Sequence, residues 1–158
     1  MKKNLLMWLV LAIAVLTTGC DALNKVANLE KDATQLYFEP LNNYFVNNTV
    51  ECKKTQKLVI NDQRDFEHYF GEAAVMGSNG EPTRINWNTQ YVLAVVLPET
   101  NRSTLVEPID VKLNGNAIIY NYHVTRGDRT TYNMVPFAAV ALDKPANSVQ
   151  MEVYFNEK

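Results

Sequence analysis

The chain has 158 residues, 15 basic and 17 acidic side chains, a formal charge of −2, and 47% hydrophobic content. Those proportions suit one globular domain with a single core. No long basic block or arginine-rich face appears, which excludes nucleic acid as an expected partner.

In chain order, the first twenty residues set the context. Lys2 and Lys3 open the sequence, an unbroken apolar run covers Leu5 to Leu16, and Thr17-Thr18-Gly19-Cys20 follows. A charged start, a short apolar stretch and small residues make a secretory signal. Twelve residues at ~1.5 Å each reach roughly 18 Å, short of a ~30 Å hydrocarbon core, so a retained membrane helix is not expected. Gly19-Cys20 at this place resembles the lipobox of bacterial lipoproteins, with Leu16 one position further out than the family's usual leucine. The resemblance implies cleavage before Cys20, a diacylglycerol thioether on its sulfur, and acylation of the new amino terminus. It places the chain at a membrane of the bacterial cell envelope. Removing nineteen residues leaves 139, and losing two lysines takes the formal charge from −2 to −4. With Cys20 lipidated, Cys52 stands alone and no intrachain disulfide is available. Cys52 follows Val50-Glu51 in an alternating stretch that reads as a strand, and a small buried hydrophobe is its expected role.

Residues 20–36 are expected to form a lipidated tether, because Asp21–Gln35 is polar and its apolar residues are loosely spaced. A single globular domain is expected over 37–158. Tyr44-Phe45-Val46 and Lys57–Ile60 read as short strands. Asn61 or Asp62 can cap a helix in which Phe66, Tyr69, Phe70 and Ala73 share one face and which Gly71 ends or bends. Gly77–Pro82 is a loop by composition. Tyr91–Leu97 is a continuous apolar run, as in a central strand, and Pro98 ends it. The helix's Phe66/Phe70 face is expected to cover it. Leu105–Leu113 places Ile109, Val111 and Leu113 on one side, and Asn114-Gly115 is a hairpin signal. Ala117–Val124 sets Ile119, Asn121 and His123 against Ile118, Tyr120, Tyr122 and Val124. Gly127-Asp128 reads as another turn, and Met134–Leu142 and Val149–Phe155 as two further strands. The sum is an α+β fold: a mostly antiparallel sheet of about five to seven strands with one short helix packed on a face.

The order of elements carries a second resemblance. Val59–Phe66 runs strand, cap, short helix; Ile85-Asn86-Trp87 is a short lead-in to the strand Tyr91–Leu97; Thr131–Lys144 runs threonine, spacer, Pro136-Phe137, then a strand ending in lysine. Together these resemble the C-terminal domain of the PrcB protease-complex subunit and its lipoprotein relatives, over about Leu58 to Phe155. The resemblance implies a protein-interaction domain. Some relatives carry a Gly-rich loop after the central strand, similar to small protease inhibitors; here that loop is Pro98–Thr104, without glycine.

Catalytic chemistry finds little footing. His68 and His123 are the two histidines, without HxxxH or CxxC spacing, so no metal is expected. Ser78, Ser103 and Ser148 lie outside any GxSxG, and a Ser103–His123–Asp110 grouping has no local motif to position it. No phosphate-binding motif implies a cofactor. Arg126-Gly127-Asp128 spells a tripeptide read by some adhesion receptors, but Arg-Gly-Asp-Arg is also a good hairpin turn, and the turn is the expected reading. Two polar, hydroxyl-rich stretches remain, a loop at Thr100–Thr104 and a turn at Arg126–Thr131. They supply the candidate binding residues Asn101, Arg102, Ser103, Thr104, Arg126, Asp128 and Arg129, whose arginines offer forked donors to a partner's carboxylates. The expected role is non-catalytic binding of another envelope protein, within a protease-associated complex. A protease inhibitor presenting Thr100–Thr104, and a hydrolase or small-ligand-binding protein, are the alternatives.

Overall fold

In a computed structural model, residues 13–14, 20–73, 80–145 and 150–158 are described, with side chains from residue 24 onward. Most of the expected signal segment, residues 74–79 with Ser78 among them, Ser148 and Val149 therefore lie outside the described residues. Helix α1 spans Cys20–Glu30 and α2 spans Gln63–Tyr69. Beside the two-residue β1 (Ile13–Ala14), ten strands follow: β2 (Thr34–Leu36), β3 (Glu39–Pro40), β4 (Tyr44–Val46), β5 (Gln56–Ile60), β6 (Phe70–Glu72), β7 (Gln90–Val96), β8 (Thr100–Asn114), β9 (Ala117–Met134), β10 (Phe137–Asp143) and β11 (Glu152–Glu157). The α+β class holds, but ten strands exceed the five to seven expected, and they divide into three sheets.

The larger sheets, β1-β11-β9-β8-β2 and β3-β10-β7-β5, pack face to face, and β4-β6 forms a small third sheet. Between the larger two lies the main core. Tyr91, Leu93, Val95 and Leu97 point into it from one sheet; Val111, Ile118, Tyr120, Val153 and Phe155 point in from the other. On the far side of β7, Val92, Ala94 and Val96 meet Phe66, Phe70, Val46 and Cys52. The strand is thus covered on both faces, which is why its sequence is continuously apolar instead of alternating. Pairing is antiparallel except where β11 lies parallel to β9 and β1 to β11.

Helix α2 starts as its sequence dictates: Asp62 Oδ1 accepts from the Asp65 amide at 2.9 Å. It ends at Tyr69, and Gly71 sits in β6, where a Cβ would collide with the Phe45 ring. Asn47 closes the helix by donating to the carbonyls of Glu67 and His68.

Several expectations are corrected. The segment 20–36 is no loose tether. Helix α1 docks on the outer face of the first sheet, with Val26 buried against Ala117, Ile119 and Tyr154, and β2 pairs with Leu113–Val111. Lys25 reaches Glu152 and stands 5.1 Å over the Tyr154 ring on β11, while the Leu29 carbonyl accepts from Asn114 at the end of β8, so α1 crosses the strands. Val50-Glu51-Cys52 is not a strand, although Cys52 is buried. Ile85–Trp87 leads into β7 through a turn that Asn86 closes, its carbonyl accepting from Thr89 and Gln90. Ile109 does not join Val111 and Leu113, because the register shifts between Pro108 and Asp110 and turns Ile109 outward. The β8–β9 hairpin has Gly115 and Asn116 as its two central residues, with Gly115 at φ 60°. Positive φ at the first central position is the type II′ pattern.

The first sheet's outer face holds one fully buried polar residue. Asn121 donates its amide to Glu30 Oε1 and to Asp110 Oδ1, each at 2.6 Å, and its oxygen accepts from Asn156 at 2.7 Å. Lys158 reaches the other Glu30 oxygen at 2.8 Å, and Lys112 lies 3.4 Å from Asp110. This network clamps the last turn of α1 to β8, β9 and β11. Burial pushes the Glu30 carboxyl upward, but the hydrogen bonds from Lys158 and Asn121 outweigh it and hold the group below its usual range.

Two expected outcomes follow from this packing. Glu30 contributes stability that is complete above the ordinary carboxylate range and is lost as pH falls through its lowered folded-state value. In urea titrations across pH, Glu30→Gln should therefore lower stability at neutral pH and flatten the acid limb. Tyr120 is fully buried, with a hydroxyl that finds no hydrogen-bond partner among the described residues. Relieving that group should make Tyr120→Phe more stable by about 1–2 kcal/mol in the same assay; a loss of stability would show that the hydroxyl is satisfied.

Candidate binding corner

The two stretches read as a loop and a turn are neither. Thr100–Thr104 opens β8 and Arg126–Thr131 lies within β9, and they pair with each other: Thr104 opposite Arg126, Arg102 opposite Arg129, Thr100 opposite Met134. The same two chains continue as β7 and β10, where Val96 pairs Phe137 and the Leu97 amide donates to the Pro136 carbonyl. One long ribbon therefore starts in the first sheet, bends, and ends in the second. Such sheet-switching corners are made by bulges. Between the pairs at Thr104 and Arg102, β9 carries two residues against one on β8; between those at Arg102 and Thr100 it carries four, Thr130–Asn133, against one.

The hydroxyl-rich composition now has a structural reason. Bulging strips backbone groups of their ladder partners. The Thr100 hydroxyl accepts from the Arg102 amide at 3.2 Å, Thr104 donates to the Arg102 carbonyl at 3.1 Å, and Thr130 donates to the Tyr132 carbonyl at 2.6 Å. Thr104 is buried, so it serves the backbone and offers nothing to a partner. Asn101, Arg102, Ser103, Arg126, Asp128 and Arg129 are exposed. Gly127 lies in extended β9, not in a turn, and lacks a positive φ; a Cβ there would come within 3.4 Å of the Ser103 carbonyl oxygen. The sequence thus picked out residues that are exposed, Thr104 apart, but expected a loop and a turn where the structure has paired strands. It missed Tyr132 and Leu105, which are 62% and 55% exposed. An aromatic inside the polar run Thr131–Asn133 was the available signal for Tyr132. Leu105 had none, since its exposure follows from the sheet running past the end of α1's cover.

A cleft of about 370 Å³ opens beside the corner, walled by Leu97, Pro98, Glu99, Arg102, Arg126 and Glu157 among others. The Arg126 guanidinium lies 3.4 Å from Glu157, and Arg102 donates to the Gly127 carbonyl at 3.3 Å. A second concavity of about 500 Å³ lies between α2, β6 and the segment 84–87, floored by Phe66, Phe70 and Trp87 and rimmed by Gln63, Glu67 and Arg84. Its aromatic floor is continuous with the core packing of α2, as the Phe66 and Trp87 rings meet at a tilt with 5.4 Å between centroids.

The Ser103–His123–Asp110 grouping does not assemble. Ser103 lies four residues along β8 from Glu107, the partner of His123, a separation of roughly 13 Å at ~3.3 Å per residue. His123 Nδ1 faces the Lys158 carbonyl at 2.7 Å, and Asp110 is engaged by Asn121. Among the described residues, no cluster of three or more histidine, cysteine or acidic side chains could hold a metal ion, and no helix is long and apolar enough to cross a membrane.

What the fold and corner define is a β-sandwich with a helix on each outer face and a bulged, arginine-bearing ribbon at one corner. No family model matches the chain, and no curated protein or solved structure matches it.

Cys52 is free and buried, and burial together with nearby Glu99 raises its thiol above the ordinary range. In a Cys20→Ala chain, alkylation of Cys52 at neutral pH should run at least about tenfold slower than that of a solvent thiol, and should reach the solvent rate in denaturant.

Proposed function

We propose that the chain is a cell-envelope lipoprotein, anchored through lipid on Cys20, that binds another envelope protein without catalysing a reaction on it. The observation that carries the binding reading is the corner. Two polar segments far apart in sequence meet as paired strands, and their arginines lie in a bulged ribbon beside exposed Leu105 and Tyr132. A rigid scaffold presenting exposed arginines and an aromatic suits protein recognition. The anchor reading rests on the sequence: the apolar run, then Gly19-Cys20. One or two acyl chains beyond the first turn marginal attachment into a durable one. The PrcB-like order of elements supports a protease-associated setting for the partner. The inhibitor alternative loses its premise, because Thr100–Thr104 is a paired strand and not a protruding loop.

Two measurements test this. Metabolic labelling with a palmitate analogue should mark the wild-type chain and leave Cys20→Ala dark; equal signals would remove the anchor. Crosslinking in the native envelope from a photoreactive residue at Tyr132 should capture a protein, and the double substitution Arg102→Glu/Arg129→Glu should abolish that capture while leaving the fold's circular dichroism unchanged.

A further inference from the structure

We infer that the partner's contact segment is acidic, and that Arg102 and Arg129 are the residues that receive it; this rests on the binding role proposed above. The two arginines are direct cross-strand partners. Residues directly opposite in an antiparallel pair project from the same face, and like charges so placed destabilise the pair. Both are exposed, and among the described residues neither has an ion-pair partner. The third arginine of the corner differs: Arg126 is matched by Glu157 at 3.4 Å. Two acids stand close in sequence, Glu99 on the cleft wall and Asp128 beside Arg129, and neither pairs with Arg102 or Arg129. The ribbon thus keeps two guanidinium forks opposed and unneutralised where a single exchange of Arg129 for an acid would relieve both. A carboxylate-bearing strand or loop laid across them supplies that relief, two oxygens to each fork.

The test uses the full chain and a fluorescent peptide alternating Glu and Val, with its Gln/Val counterpart as control. At low salt the Glu/Val peptide should bind at least about tenfold more tightly than Gln/Val, and salt should erase the difference. Arg102→Gln/Arg129→Gln should remove the preference, and Arg102→Lys/Arg129→Lys should recover only part of it. Arg129→Glu should abolish binding and also raise the melting temperature, because it turns a like-charge pair into an opposite one. Equal affinity for the two peptides, or binding unchanged in Arg129→Glu, overturns the inference. So does selective binding of Cys20→Ala chain to phosphatidylglycerol vesicles with none to the peptide, which would assign the forks to lipid phosphate. Failure here is separable from failure of the binding role: a crosslinked partner whose captured segment lacks acids sinks this inference alone, whereas no captured protein sinks the role itself.

Discussion

Val92, Ala94 and Val96 on one side of β7, and Leu93 and Val95 on the other, are shut off from water because the strand lies between two apolar layers. That double burial is the constraint from which the rest follows. A strand of this kind needs covering elements above and below, so the sheet containing β7 must be sandwiched, and the sheet opposite must bring its own outer cover. Helix α2 with β4 and β6 caps one outside; α1 caps the other. With no disulfide in the described fold, this layering alone supplies cohesion. Burying a side chain of Val or Leu size is worth roughly 1.5–3 kcal/mol each, against which the chain must set the entropy of ordering.

The ribbon corner is a product of the same constraint. Because β8 and β9 belong to one sheet and β7 and β10 to the other, the chain must change layers twice, at Leu97–Glu99 and at Val135–Pro136. Changing layers while staying paired forces extra residues onto the outer strand, and β9 carries them. The backbone groups thereby released are met by threonine hydroxyls, while the longer side chains are pushed out to solvent. Polar residues at a sheet corner can be read as a loop from sequence, since composition reports exposure and not pairing. The bulges that let the sandwich close are also what hold Arg102 and Arg129 across from each other, so the proposed recognition surface would be a by-product of closure.

Much of the core was legible in the sequence. Ile118, Tyr120, Tyr122 and Val124 alternate cleanly and face the core, Tyr91–Leu97 announces a doubly covered strand, and Asp62 followed by Asp65 marks a helix start that the structure keeps. The failures share a cause. The α1 segment has only a narrow apolar stripe, because a helix lying on Ala117, Ile119 and Tyr154 needs little more than Val26 and Leu29 to dock. Ile109 looked like a core residue because alternation assumes an unbroken register, and a single bulge reverses the assignment. Gly127-Asp128 carried turn chemistry, yet its neighbours' pairing with Ser103's strand overrode it. Long-range pairing decided each of these positions, and local pattern does not encode it. The candidate residues were found by composition; their opposition across a ladder could be seen only once the register was fixed.

Helix α1 begins at Cys20, and by Val26 the chain is already seated on the sheet. Six residues of helix span about 9 Å. A lipid on Cys20 would thus have almost no slack between it and the folded body, where a flexible leash of the usual lipoprotein kind would let the domain roam. The body would ride the bilayer like a hull, its search for a partner confined to two dimensions and to a fixed height. Encounter would then favour a partner embedded in, or pressed against, the same leaflet over one diffusing freely beyond it.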